Sequence, residues 1–398
     1  MMKFVRIVIL IFIHAWLFTS CYKEKKDIPV IVGTDTAGVI NVAYKDRAKQ
    51  VYDNIITLYS LSGSNLLKEN YPAQPGDPAA AYFWSHTSML GGAMLLKSLG
   101  FSDPSFQKLL DGMEDYWDAG RKPAAYQSSP VAKGPADRFY DDNAIAGLDM
   151  LRAYEQTGDA QYLDKAEKCL AFDMSGESDH HGGGLFWNEQ YRLNNVSHPW
   201  SMKAANVTAL AANLALRLHE ITGRQEYLTA AQRWYEWVKL KLQDPGDKII
   251  WNSIAMKDGS VNTTKWTYNT GAMITNACYL YKITQDAGYL TEAKALAKAS
   301  YDYFTRPVGT LGRFFPAHDP WFTMILLRGY MDLYALDKND EYINTMIKNV
   351  DYAWLNSRNA DGLFAEDWSG QHTGRYYWIL TQECMVEIYA LISKYKNE

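Results

Sequence analysis

Four segments of the chain repeat one pattern of apolar positions. Tyr162-Leu163 is followed by Ala166, Cys169 and Leu170, and Tyr227-Leu228 by Ala231, Trp234 and Tyr235. Tyr289-Leu290 leads to Ala293, Leu296 and Ala297, and Tyr342-Ile343 to Met346 and Val350. Spacings of i, i+1, i+4 and i+7 or i+8 describe one face of a helix. The leading tyrosines lie 65, 62 and 53 residues apart, a period that suits a pair of helices. A tight break precedes each: Thr157-Gly158-Asp159, Thr222-Gly223-Arg224, Asp286-Ala287-Gly288 and Lys338-Asn339-Asp340. Gly or Asn ends one helix at such a break, and Asp caps the next.

Extended in both directions, the pattern predicts twelve helices. One set starts near Tyr82, Asp142, Ser201, Tyr268, Pro320 and Gly374, the other near Val42, Pro104, Asp159, Gln225, Ala287 and Asp340. Loops at 182–188, 248–266, 309–317 and 361–368 link them, and no long strand pattern interrupts. Six hairpins, each with an apolar face to bury, can close into a ring with no exposed end. The expected fold is all-α, an (α/α)6 toroid in one domain over residues 41–398; an open superhelical solenoid is the alternative.

The first forty residues break the period. Lys3 and Arg6 precede an apolar run over 7–18, then Leu17-Phe18-Thr19-Ser20-Cys21. A basic start, a short apolar stretch and small residues before a cut describe a signal peptide at residues 1–20. Cys21 resembles the lipidated cysteine of a bacterial lipobox, and residues 21–40 then form a lipidated tether. This predicts a cell-envelope protein, periplasmic or surface-exposed, that meets the membrane through a lipid anchor only. The alternative is an ordinary secretory signal with an incidental cysteine. Cys169, Cys278 and Cys384 remain, an odd and scattered set that suits buried apolar positions better than a disulfide scaffold or zinc ribbon.

Composition narrows the function. With 47% hydrophobic and 21% charged residues in 398, the chain is neither disordered nor low-complexity. A net charge of −5 without a basic run argues against phosphate-driven nucleic-acid binding. The 28 Tyr and 13 Trp against 14 Phe give most rings a polar handle, as suits wet surfaces that stack on sugars.

In a toroid the six inner helices run parallel and their N-termini open on one face, the default place for a site. That face is expected to collect Trp84, His86, Asp141, Asp142, Trp200, Trp266, Tyr268, Asn269, His318, Asp319, Trp321, Trp368 and Arg375. Within it stands Phe139-Tyr140-Asp141-Asp142-Asn143-Ala144. Two acids at a helix start can simply be caps that favour the macrodipole. Energetics separate the readings. Carboxylates about 5 Å apart at an effective dielectric of about 20 repel by ~3 kcal/mol, or ~2 pKa units. A helix N-terminus returns only about 0.3–1 kcal/mol. One Asp therefore keeps its proton near neutral pH, and an acid beside a carboxylate is what glycosidic cleavage requires. Because i and i+1 side chains diverge on a helix, Asp141 is expected at the cap or in the loop, and Asp142 in the first turn.

Tyr140-Asp141-Asp142-Asn143-Ala144, Gly183-Gly184-Leu185-Phe186-Trp187-Asn188, Lys203-Ala204-Ala205-Asn206 and Trp266-Thr267-Tyr268-Asn269-Thr270-Gly271 occur in an order that resembles glycoside hydrolase family 76, the α-1,6-mannanases. The resemblance runs from about Tyr44 to Tyr389. It implies an (α/α)6 fold and internal cleavage of mannan by a retaining mechanism, with Asp141 as nucleophile and Asp142 as general acid/base. Bacterial lipoprotein members act on yeast-type mannan, so the implied partner is mannan or manno-oligosaccharide, met by a monomer. Ile145 stands where an aromatic residue is common, and Thr270 where Gln is frequent.

Around the pair, Tyr140 and Asn143 count with the substrate-binding set. Trp187, Trp266 and Tyr268 are candidates to stack on mannose rings or to pack in the core. Asn188, Asn206 and Asn269 suit sugar hydroxyls or loop caps. No cofactor or metal is expected: Asp179-His180-His181 has no third ligand at a familiar spacing, and the glycines at 182–184 lack the Lys-Ser/Thr of a phosphate loop. No Gly-x-Ser-x-Gly elbow is present. Two other readings stand beside the hydrolase. One is another sugar-active toroid working through His86, His318 or Asp319; the other is a carbohydrate-binding lipoprotein without turnover, against which the cost of the adjacent acids argues.

Overall fold

The computed structural model describes residues 41–316, 319–370 and 374–398. The expected signal peptide, Cys21 with the whole tether, and His318 lie outside the described residues.

Twelve helices occur among the described residues: α1 (Tyr44–Tyr59), α2 (Phe83–Ser98), α3 (Pro104–Met113), α4 (Tyr140–Thr157), α5 (Ala160–Ser175) and α6 (Ala205–Thr222), then α7 (Gln225–Leu242), α8 (Thr267–Thr284), α9 (Ala287–Phe304), α10 (Pro320–Asp337), α11 (Glu341–Asn356) and α12 (Ile379–Lys396). The even-numbered helices are apolar nearly all round, as a buried helix must be: from Phe83 to Leu96 every α2 residue except Trp84 is buried. The odd-numbered ones bury a stripe, such as Phe106, Leu109, Leu110 and Met113 of α3. Contacts run α2 to α4, α6, α8, α10 and α12, and α12 returns to α2. That last contact closes the ring and excludes the open solenoid. The fold is an (α/α)6 toroid with the even helices inside.

Helix boundaries follow local chemistry. Gly158 and Gly223 end α4 and α6 in the left-handed conformation, at φ 71° and 70°, which costs glycine little. Asp159 and Asp286 cap α5 and α9 by accepting from Gln161 N and Gly288 N, at 3.0 and 2.8 Å. The two later breaks fall earlier than expected. Gln285 and Lys338, not Gly288 and Asn339, take the left-handed turn, and Asp340 makes no side-chain cap.

Short strands precede the inner helices at the mouth. β1 (Met202–Ala204), β2 (Trp251–Ala255) and β3 (Val261–Lys265) form an antiparallel sheet, so the expected 248–266 loop is a hairpin. α6 therefore starts at Ala205 rather than Ser201, because 202–204 pairs as strand. Likewise α12 starts at Ile379 rather than near Gly374, because Tyr377 and Trp378 pair with Tyr71 and Asn70. α8 and α10 cross at two glycines, Gly271 and Gly329. A Cβ on Gly271 would lie 2.6 Å from Leu326 Cα, so only hydrogen fits there. Among the described residues no helix is long and apolar enough to cross a membrane. Cys169, Cys278 and Cys384 are buried and unpaired.

Candidate active site

Phe139 takes an extended conformation and offers no side-chain cap, so α4 begins at Tyr140 and both aspartates lie in its first turn. The expected placement of Asp141 outside the helix is corrected accordingly. The reason lies in the backbone: Tyr140 N donates to Trp187 O at 3.1 Å, which satisfies an orphan N–H and lets the helix start one residue earlier.

The two carboxyls differ in their partners. Asp141 Oδ2 accepts from Trp187 Nε1 at 2.9 Å and Asn206 Nδ2 at 2.7 Å, and its Oδ1 accepts from Asp142 N at 3.1 Å. Burial pushes Asp141 up to about 6, and these donors hold it from rising further. Among the described residues no donor holds Asp142; burial, then the Asp141 charge, raise it well above the usual carboxylate range. For both acids burial outweighs charge repulsion, whereas their adjacency in the chain points to repulsion alone. The outcome is one acid that ionises first and one that keeps its proton. Both stay partly accessible to solvent, as a working pair must.

Each donor arrives on its own element. Trp187 follows the 178–184 turn, and its ring packs against Phe139 and Trp200 with centroids 5.0 and 5.4 Å away. Asn206 is the second residue of α6 and is 6% exposed. Trp187 and Asn206 thus serve the carboxylate of Asp141, a use the sequence alone did not indicate.

An aromatic wall stands on the α2, α8 and α10 starts. Tyr268 stacks on Phe322 at 4.2 Å, Trp266 meets it edge-on at 5.6 Å, and Trp84 lies nearly parallel to it at 6.3 Å. Trp266 and Tyr268 keep partial exposure. Phe322 and Trp378 escaped the sequence reading. Trp378 meets Trp84 edge-on and donates to Glu69 Oε1 at 2.6 Å. Only the i+1 neighbour relation of Phe322 to Trp321 signalled the first, and nothing local signalled Glu69.

Several expected site residues are in the core instead. Tyr140 is fully buried and stacks on Phe172 at 4.5 Å. Asn143 is fully buried and ties Tyr126 N and O to the helix start. Asn188 caps its own loop, accepting from Gln190 N and Tyr191 N. Asn269 is buried with no amide partner among the described residues. His86 points outward to Leu109 O of α3 at 3.0 Å, and burial lowers it to about 4. Trp321 and Trp368 are buried at 4% and 2% exposure. Sequence spacing puts these residues near the mouth, but helix rotation turns the side chains of Tyr140, Asn143, His86, Asn269 and Trp321 inward or sideways, and the loop paths do the same for Asn188 and Trp368. His86 and Asp319 therefore do not share a site. Asp319 starts α10 at φ 55°, and burial pushes it up to about 6.

The two departures from the family pattern are core substitutions. Ile145 is 4% exposed, and the Thr270 hydroxyl accepts from Ile250 N at 3.3 Å. Among the described residues no group of three or more His, Cys, Asp or Glu gathers as metal ligands.

Residues 43–313 match the profile of Glycosyl hydrolase family 76. A family 76 glycoside hydrolase from a bovine Bacteroides thetaiotaomicron strain superposes with TM-score 0.80 at 28% identity, over 89% of this chain and 78% of the other. A family 76 α-mannanase of Bacteroides thetaiotaomicron superposes with TM-score 0.80 at 28% identity, over 90% and 97%. The mannan endo-1,6-α-mannosidase DCW1 of Saccharomyces cerevisiae is 28% identical over 175 residues, which is 41% of this chain and 38% of the yeast protein. The match thus spans well under two thirds of that relative's length.

Proposed function

Because the chain belongs to glycosyl hydrolase family 76, we propose that it hydrolyses α-1,6-mannosidic bonds inside mannan chains with retention of configuration. Asp141 attacks the anomeric carbon while Asp142 gives its proton to the leaving oxygen. Asp142 then takes a proton from water, and that water releases the manno-oligosaccharide held on Asp141. Trp187 and Asn206 keep the nucleophile ionised and aimed, and Trp266 and Tyr268 offer ring faces to the sugar.

One observation supports this assignment above all: Asp141 accepts three hydrogen bonds while Asp142 has no donor among the described residues. A cap pair would have no use for that asymmetry. The named relatives support the substrate class, mannan.

The test is digestion of α-1,6-mannan, with products followed by chromatography and the anomer formed followed by NMR. Internal cleavage to α-configured oligosaccharides is expected, and Asp141→Asn or Asp142→Asn should each abolish it. Release of mannose alone would mean exo action, and β products inversion. Retention on a mannan column without cleavage would favour the binding lipoprotein. The envelope assignment through Cys21 is part of this proposal. Cys21→Ala should move the protein from the membrane to the soluble fraction.

A further inference from the structure

Lys203, the middle residue of β1, is wholly buried. Its ammonium donates to the carbonyls of Ser178 (2.5 Å), His180 (2.8 Å) and Gly183. An ammonium has three N–H groups and no lone pair, so three carbonyls satisfy it completely. The turn it grips has little backbone bonding inside it: Gly182 N donates to Asp179 O at 2.8 Å, and the Glu177–Leu185 bridge closes its ends. His181, Gly182, Gly183 and Gly184 all have positive φ, a run that cannot extend as a regular helix or strand. Trp237 covers the turn from outside and donates to His181 O at 3.1 Å.

The gripped turn runs straight into the nucleophile's support. Phe186 bridges Lys203, and Trp187 N donates to Met202 O at 3.1 Å. One residue beyond the bridge, the Trp187 indole holds Asp141. Three residues beyond Lys203, Asn206 holds the same oxygen. Lys203 therefore sits where the two donors' segments meet. We infer that Lys203 is a positioning residue for the acid pair, clamping the 178–184 turn so that Trp187 and Asn206 keep Asp141 ionised and aimed. This rests on the assignment of Asp141 as nucleophile.

A buried amine is a costly clamp unless the charge is used. Burial lowers Lys203 to about 8, while Glu177 and Asp179 oppose the fall. The other charged or titratable groups around the turn are His180, His181, Arg233 (bound to Glu177) and Lys241, packed against Gly182. Once neutral, the amine has two N–H groups and turns a lone pair toward a carbonyl, so the clamp loosens in alkali.

Lys203→Met and Lys203→Arg are compared with wild type for kcat, KM, the pH profile on α-1,6-mannan, and amide exchange. In Lys203→Met, kcat should fall on the order of 30–100-fold with KM changed less than about threefold, since a small misplacement of reacting groups has that effect. The acid limb of kcat/KM should move up by about one pH unit, because lost donors raise Asp141. Amides of 178–187 should lose protection while those of α8 and α10 keep theirs. An acid limb that stays put, even with lower activity, overturns the inference and leaves a plain structural plug. If wild type itself does not cleave mannan, the functional assignment fails. The clamp is then judged by exchange alone, where loss of protection must reach Trp187 and Asn206, and confinement to 178–183 overturns it. If Lys203→Met does not fold, wild type suffices: protection of 178–187, corrected for intrinsic exchange, should fall through about pH 8, and the permanently charged Lys203→Arg should show no such step. A flat wild-type profile overturns the inference.

Discussion

Trp187→Phe removes the indole N–H that Asp141 accepts and leaves the backbone bonds of residue 187 in place. Phenylalanine keeps a ring to pack on Phe139 and Trp200, but loses the N–H that reaches Asp141 Oδ2 at 2.9 Å. A hydrogen bond to a charged group contributes about 1.5–3 kcal/mol. Asp141 retains Asn206 and the Asp142 N–H and is partly accessible to water, so the lower end applies. About 1.5 kcal/mol corresponds to about one pKa unit. The carboxyl, which burial holds at about 6, should then titrate near 7. At pH 5 its ionised fraction falls from about a tenth to about a hundredth, while near pH 8 both enzymes are almost fully ionised. The expected result is a loss of roughly tenfold in kcat/KM at pH 5 that shrinks below about twofold at pH 8. The assay is hydrolysis of an α-1,6-manno-oligosaccharide across that range under kcat/KM conditions. An equal loss at every pH would mean that the indole acts on substrate binding rather than on the acid, and the expectation would fail. No loss at pH 5 would show that this bond does not tune the acid.

Asp142→Asn should abolish turnover yet stabilise the fold at pH 8 by roughly 1–2 kcal/mol and not at all at pH 4, read from urea midpoints. A buried acid with raised pKa stabilises the fold only while protonated, so its neutral isostere gains as pH rises. Burial also lifts Glu69 and Asp149 to about 7, so stability should fall as pH climbs from about 4 to about 7. Thermal unfolding should occur at a higher temperature at pH 5 than at pH 8, and the reverse order would count against those buried acids. Glu387, 2% exposed between Arg152 and Arg328, is lowered to about 2, its guanidinium partners overcoming burial. Its depressed pKa means that its contribution is present above the ordinary glutamate value and lost as pH falls toward 2. Glu387→Gln should therefore cost about 3 kcal/mol at pH 7 and less at pH 3, again by urea midpoint. Gly271→Ala sets a methyl 2.6 Å from the Leu326 backbone. Since main chain cannot rotate away, a loss of about 1–3 kcal/mol is expected, and an unchanged midpoint would mean that α8 and α10 separate freely.

The fold was largely legible because its signals are local. The Tyr162, Tyr227, Tyr289 and Tyr342 faces, with Gly158, Gly223, Asp159 and Asp286 at the breaks, are set by helix period and cap chemistry within a few residues. The errors arose where partners are distant. Strand 202–204 pairs with 253–255 and delays α6, while Tyr377 and Trp378 pair with 70–71 and delay α12. No window around either start contains that information.

The site divides in the same way. Asp141 and Asp142 are neighbours in the chain, and repulsion between adjacent acids follows from the sequence alone, as does the wealth of Trp and Tyr near helix starts. Which of the two acids is held ionised does not. That depends on Trp187 and Asn206, 46 and 65 residues away, and on how deeply the carboxyls are covered. The side chains of Tyr140 and Asn143 sit in the same motif yet face the core, and His86 turns to α3, because helix rotation within a packed ring decides direction. Local periodicity determines which segments form helices and where the acids fall along them. Burial and hydrogen bonding are long-range quantities, and only the closed ring assigns them.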